Sequence, residues 1–260
     1  MALDLRVRSK LYTGADGGAS PVFEEFCLQV PAGEFLVITG PSGCGKTTLL
    51  NIAAGLDRRF DGERTVAVSD GREPVIGYVF QDPRLLPWRT VEENLLLVLA
   101  ASPRRASGAI RERARRWLRQ VGLEDVEGYF PRQLSMGMAR RVALARAFAV
   151  EPDLLLMDEP FVSLDEETAE ALRQRVLTIA EPRTSTVLFV THDLDEAARL
   201  GDRIIVLGGR PAQIERDMTL GLSTQQRNDP GVRQRLREHL KGSPGERTAT
   251  VGREPNGCPP

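Results

Sequence analysis

Residues 34–54, EFLVITGPSGCGKTTLLNIAA, leave little freedom to the fold around them. The apolar run EFLVIT predicts a short buried strand, and the stretch beginning at Lys46 has the spacing of a helix. Between them stands Gly-x-x-x-x-Gly-Lys-Thr, residues 40–47. The glycines let backbone N–H groups close around one concave space, and the helix that follows points its positive end into it. A loop of that kind between strand and helix takes a phosphate chain. The Lys46 ammonium then lies between the outer phosphates, and the Thr47 hydroxyl can coordinate Mg²⁺. Lysine occurs only at Lys10, Lys46 and Lys241, so its presence at the key position stands out from background.

Phosphate transfer from such a loop needs carboxylates. The stretch LLLMDEP, residues 154–160, ends a buried apolar strand in Asp158 and Glu159. Successive residues at a strand end point different ways, so the two acids can do two jobs. Asp158 would enter the Mg²⁺ shell, and Glu159 would orient and deprotonate the attacking water. Alone, two acids at a strand end form a solvated terminus; beside the phosphate loop they predict hydrolysis.

Strand-like runs crowd the first seventy residues: LDLRVRS, EFCLQV, EFLVITG and RTVAV, with TGADGGASP as a flexible connection. From residue 75 isolated buried strands, VIGYVF, LLLM, TVLFV and RIIVLGG, alternate with helical stretches, which predicts an α/β chain with a mostly parallel sheet. Residues 83–133 break the alternation with a helical insert. In AIRERARRWLRQV, Ile110, Ala114, Trp117, Leu118 and Val121 share one face, and Arg111, Arg113, Arg115, Arg116 and Arg119 lie largely off it, as a solvated face would. No internal repeat is present.

Composition mainly excludes. The 260 residues are 41% hydrophobic and 27% charged with a net charge of −1, which gives no global attraction to nucleic acid or an anionic membrane. No apolar run approaches the roughly 18 residues that span a bilayer, and MALDLRVRSK lacks the apolar core of a signal peptide. Cys27, Cys44 and Cys258 have neither metal-site nor framework spacing, so a reduced cytosolic compartment is expected.

LSMGMARRVALARA, residues 134–147, opens a second helix on Ser-x-Gly and offers no acid, base or nucleophile beyond the Ser135 hydroxyl. The order GPSGCGKTT, VFQD with Gln81, LSMGM, LLLMDEP, SLD with Asp165 and VTHD with His192 explains it. Over about residues 3–217 the chain resembles the ATP-binding subunits of ABC transporters. The resemblance implies an α/β P-loop NTPase cassette with a mixed or parallel sheet core, an N-terminal antiparallel β subdomain and a helical subdomain. The cassette would occupy 1–217, with the helical subdomain at about 83–150. A C-terminal helical extension at 218–242 and a disordered tail at 243–260 would follow.

It also implies ATP and Mg²⁺ as cofactors. Gly40, Pro41, Ser42, Gly43, Cys44, Gly45, Lys46, Thr47 and Thr48 would cradle the phosphates. Thr47, Asp158 and Gln81 would hold Mg²⁺, and Gln81 would also link the site to a transmembrane partner. His192 would contact the γ-phosphate or orient Glu159. Tyr12 would stack on adenine, with Phe23 as the alternative. Ser135, Gly137 and Asp165 complete the nucleotide set. In the family two chains pair head to tail, and the Ser-x-Gly helix faces the γ-phosphate held by the other chain, so it needs dipole and N–H donors and no catalytic group. The commonest form of that motif is L-S-G-G-Q; here Met136 replaces the first glycine and Met138 the glutamine.

FQDPRLLPWRTVEENLLLVL and DPGVRQRLREHL are similar to the nitrate, sulfonate and taurine importers. The expected partners are a second copy, transmembrane permease subunits and a periplasmic solute-binding protein, with no nucleic acid. The expected place is the cytoplasmic face of the bacterial inner membrane, peripheral through the permease. The apolar LLPW is either a permease contact or a core-filling turn. The alternatives are an exporter-type cassette subunit and a soluble cassette ATPase, the latter disfavoured by the lack of a coiled coil or second cassette. Intact Glu159 and His192 argue against a catalytically silent cassette.

Overall fold

A computed structural model describes residues 2–13, 18–68, 70–102, 110–162, 164–180, 185–222, 226–227 and 229–241. The expected tail, 243–260, and Ser163 of the SLD motif lie outside the described residues. The chain divides into two units, Met1–Gly71 with Thr186–Pro260, and Arg72–Ser185. Among the described residues no helix is long and apolar enough to cross a membrane.

In the first unit, β1 (Leu3–Thr13) alternates apolar and polar residues, and Leu3, Leu5 and Val7 are buried. It pairs antiparallel with β2 (Ala19–Val30), Leu3 opposite Val30 and Val7 opposite Phe26. β3 (Phe35–Thr39) follows, and after it α1 (Lys46–Ala54) and β4 (Asp61–Val66). β4 pairs antiparallel with the other edge of β1. The hairpin is longer than the runs LDLRVRS and EFCLQV, because the ladder continues past them, through Lys10 opposite Phe23, to Thr13 opposite Ala19.

All five residues of β3 are buried, as expected of a strand covered on both faces. α1 buries Leu49, Leu50, Ile52 and Ala53 and stops at Gly55, whose φ of 74° lets its N–H reach back to Asn51 and Ile52.

The second unit holds β5 (Ile76–Val79), α2 (Val91–Ala101), α3 (Ile110–Gln120), α4 (Met136–Ala149), β6 (Leu154–Asp158) and α5 (Glu166–Ala180). β5 and β6 run parallel, and α4 packs on β5. α2, α3 and α4 pack on one another, with the Trp117 and Phe148 rings 5.6 Å apart. Ala114, Trp117, Leu118 and Val121 are buried on the expected face, and Ile110 is half-buried. Arg111 and Arg115 reach Glu92 at 2.7 and 3.2 Å. Arg113 departs from the solvated face: its side chain is half-buried, 3.0 Å from Glu151. Sequence spacing alone does not reveal this pair, because Glu151 follows α4 rather than lying on α3.

The first unit is completed by β7 (Thr186–Val190), α6 (Leu194–Leu200), β8 (Arg203–Gly208), β9 (Gln213–Thr219) and α7 (Pro230–Lys241). β7 and β8 flank β3 in parallel, and β9 adds an antiparallel edge to β8. β9 is polar enough to have no strand signal of its own, and it runs past residue 217 to Thr219. α7 packs on α6, where Arg237 lies 3.3 Å from Asp195. Just before it, Arg227 donates to the Leu200 and Gly201 carbonyls at 2.9 and 2.6 Å and to Asp202 at 2.7 Å.

Candidate functional site

In the first unit the glycine loop leaves buried β3 and enters α1. Gly40 takes φ 147°, and a Cβ there would lie 2.2 Å from the Leu207 carbonyl oxygen, so no side chain fits. Gly45 takes φ 104° and lies against Val22 and Phe23, where a Cβ would approach within 2.9 Å of Val22. α1 therefore starts without a side-chain cap. Lys46 is buried and folds back on the loop, its Nζ donating to the Gly40 and Pro41 carbonyls at 2.7 and 2.8 Å. The ammonium is thus held in the loop's concavity by two neutral acceptors, which an anionic phosphate can readily supplement.

The two aromatic candidates separate. Phe23 is fully buried, packed against Phe26 at 4.8 Å and under the loop at Gly45, so it offers no face to a ligand. Tyr12 is 46% exposed, and its hydroxyl lies 3.4 Å from the Thr48 Oγ1 and donates to Asp57 at 3.2 Å. Lys10 holds this arrangement from below, paired with Asp57 at 2.8 Å and 4.5 Å from the Tyr12 ring centroid. Burial pushes the Asp57 carboxyl up, but the hydrogen bond from Lys10 and the other donors outweigh it and hold the group below its ordinary value.

His192 is exposed just beyond β7. Its neighbours are pinned: Thr191 donates to buried Glu196 at 2.7 Å and accepts from the Asp193 N–H at 3.0 Å, while Asp193 caps α6. The imidazole is thereby presented from a fixed turn.

In the second unit Asp158 is the buried last residue of β6, and Glu159 is half-buried. Burial and the Asp158 carboxylate together push the Tyr78 hydroxyl of β5 well above its ordinary value. Glu159 adopts φ 48°, a left-handed backbone that costs a non-glycine residue about 1–2 kcal/mol. Gln81 is exposed one residue beyond Phe80, whose ring stacks on Tyr78 at 3.9 Å. Asp165 caps α5, accepting the Thr168 N–H at 2.9 Å, and that bond holds its carboxyl below the usual value.

Ser135 caps α4 by accepting the Met138 N–H at 3.2 Å, which leaves its own O–H available to donate. Met136 is 61% exposed and so does not fill the core. A Cβ on Gly137 would meet Leu164 at 3.5 Å and the Ser135 Oγ at 4.0 Å, both ordinary contacts. In the LLPW stretch Trp88 is 69% exposed, which removes the core-filling reading for that ring. Buried Asn94 shapes the turn, accepting the Leu86 N–H at 2.8 Å and donating to Leu86, Arg89 and Thr90 carbonyls.

The sequence pattern missed the arginines of α4. Arg140 is buried and donates to the carbonyls of Gln81 at 2.9 Å, Glu159 at 3.2 Å and Val162. Arg146 donates to the Pro83 and Arg84 carbonyls, both at 2.9 Å. The only hint in the sequence was arginine set in an otherwise apolar helix, at positions where a solvated face does not fall.

A buried strand, a glycine loop and an uncapped helix whose lysine turns into the loop define a phosphate-binding α/β cassette. The family model for the ABC transporter matches residues 23–162. The chain is 42% identical over 231 residues to the aliphatic sulfonates import ATP-binding protein SsuB 2 of Burkholderia lata, covering 88% of this chain and 81% of that one. It is 38% identical over 242 residues to the SsuB protein of Bacillus subtilis, covering 91% and 93%. The dimeric ATP-binding cassette MJ0796, solved in a post-hydrolysis state with ADP and Pi, superposes with a TM-score of 0.75 at 34% identity, covering 85% of this chain and 100% of that one. The chain belongs to the ABC transporter family, as an ATP-hydrolysing subunit of an importer.

Proposed function

We propose that the chain powers uptake of small sulfonate-bearing solutes, working as a head-to-tail pair of copies on a separate permease. The names of its relatives support the solute class. In this reading the subunit sits at the cytoplasmic face of the inner membrane, and a periplasmic solute-binding protein delivers the solute. Trp88, exposed on a turn that Asn94 holds in shape, is the residue to meet the permease.

In the first unit the loop from Gly40 to Thr48 takes the phosphates, Lys46 compensates the outer charge and Tyr12 stacks on the adenine. His192 meets the γ-phosphate. Thr47, Asp158 and Gln81 each carry a side-chain oxygen donor, the kind that suits a small hard cation such as Mg²⁺. When bound, Mg²⁺ withdraws charge from the phosphate oxygens. Glu159 orients the attacking water and takes its proton. Ser135 and Gly137, at the open end of α4, serve the nucleotide of the partner copy, and Asp165 joins the nucleotide set.

The observation that carries this reading is the buried Lys46 amine on the Gly40 and Pro41 carbonyls, a charge held within the glycine loop on neutral acceptors. The test uses the full chain with Glu159→Gln. It should bind MgATP, release no phosphate and double its mass on sizing, and EDTA should reverse the shift. A chain that stays monomeric at saturating MgATP refutes the paired arrangement. Uptake of a labelled aliphatic sulfonate by cells relying on this subunit tests the solute class, and uptake unchanged by its deletion refutes it.

A further inference from the structure

Two residues lacking glycine's freedom take left-handed backbone in the segments around Gln81 and Glu159. Arg84, shortly after Gln81, has φ 46°, and Glu159 has φ 48°. Such conformations persist where the surrounding structure over-determines them. In both cases the carbonyl of the strained residue is taken by an arginine of α4: Arg146 bonds Arg84 at 2.9 Å, and Arg140 bonds Glu159 at 3.2 Å. Arg140 reaches further, to the Gln81 carbonyl at 2.9 Å and to that of Val162. Its guanidinium is buried, and a planar fork with donors only can hold several carbonyls in one fixed arrangement. The ammonium of lysine, a point charge, cannot reproduce that spacing.

We propose that Arg140 is a positioning residue for ATP hydrolysis. It holds the Glu159 peptide in its left-handed state and anchors the Gln81 peptide, so that both side chains are presented from the frame of α4. The proposal rests on the reading of Glu159 as the base. Arg146 does the companion work on the segment at 83–84, without touching the peptide of either functional residue. The distinction predicts that Arg140 acts on turnover, while loss of Arg146 leaves Glu159 in place.

The test uses the full chain with Arg140→Met, Arg140→Lys, Arg146→Met and Glu159→Gln. Single-turnover hydrolysis at saturating MgATP, the Kd of a fluorescent ATP analogue and the melting temperature are measured for each. Arg140→Met should slow hydrolysis about tenfold or more while the Kd changes less than about threefold. Arg140→Lys, which keeps the charge and loses the fork, should recover only part of the rate. Arg146→Met should keep a rate within about threefold of wild type. In the Glu159→Gln background Arg140→Met should add no further loss, because both act through one carboxylate.

If Glu159→Gln hydrolyses at the wild-type rate, the base reading falls and the proposal falls with it. If Glu159→Gln is inactive while Arg140→Met turns over normally, the base reading stands and the role of Arg140 is refuted. A lowered melting temperature with an unchanged rate per folded chain makes Arg140 a brace for folding only, and equally refutes it. Should Arg140→Met fail to fold, Arg140→Lys decides the matter, a wild-type rate counting against the proposal.

Discussion

Replacing Glu159 separates what the residue does for chemistry from what it costs the fold. Its φ of 48° penalises any side chain with a Cβ, by about 1–2 kcal/mol. Comparing Glu159→Gly with Glu159→Ala isolates that penalty, because both lose the carboxylate. In ordinary backbone the glycine variant is the less stable by about 0.5–1 kcal/mol, through the extra freedom of the unfolded chain. Here relief of the left-handed strain offsets and exceeds that loss, leaving glycine ahead by about 0.5–1 kcal/mol. For a chain of this length that is about 1–4 °C in melting temperature. Both variants should be inactive, since loss of a general base costs about 10²–10⁴ in rate. Thermal unfolding followed by circular dichroism reads the first quantity, and phosphate release at saturating MgATP the second. A glycine variant that melts below the alanine variant refutes the strain argument, and phosphate release by either at the wild-type rate refutes the role of the carboxylate.

Three further outcomes are expected. Lys46→Ala removes the charge held at the loop and should weaken MgATP binding by about thirtyfold or more, the equivalent of about 2 kcal/mol; calorimetric titration giving unchanged affinity would exclude the loop as the phosphate site. Gly137→Ala places a Cβ in ordinary contact with Leu164, so its melting temperature should stay within about 2 °C of wild type while MgATP-driven pairing weakens; a large fall in melting temperature would show that the glycine serves its own chain instead. Asp57 titrates below its ordinary value in the folded chain, so its contribution is whole above about pH 5 and is lost as pH falls through the folded value, below about pH 4. The stability gap between wild type and Asp57→Asn, from urea unfolding, should therefore close toward acid pH, and a gap independent of pH contradicts the pairing with Lys10.

The strand, loop and helix around Lys46 were legible in the chain because every signal there is local. Glycine spacing, an apolar run and helical periodicity act within a few residues of one another, and β3 and α1 follow from them. The runs at 154–157 and 186–190 were equally plain, since strands buried on both faces are apolar throughout. The polar β9 escaped notice because its place comes from its ladder with β8 and from no pattern of its own.

What only the tertiary structure decided depends on distant partners. Tyr12 was the first candidate in the sequence and Phe23 its alternative; packing under Gly45 buries the Phe23 ring and the antiparallel hairpin leaves that of Tyr12 open. The backbone of Glu159 is left-handed although nothing in LLLMDEP announces it. The carbonyls that Arg140 holds lie 59, 19 and 22 residues away from it along the chain. A bond from a guanidinium to backbone oxygen leaves no mark on the residue that accepts it, since every residue has a carbonyl. The sequence therefore determines which side chains are the candidates for the chemistry, and the fold alone determines what holds them in place.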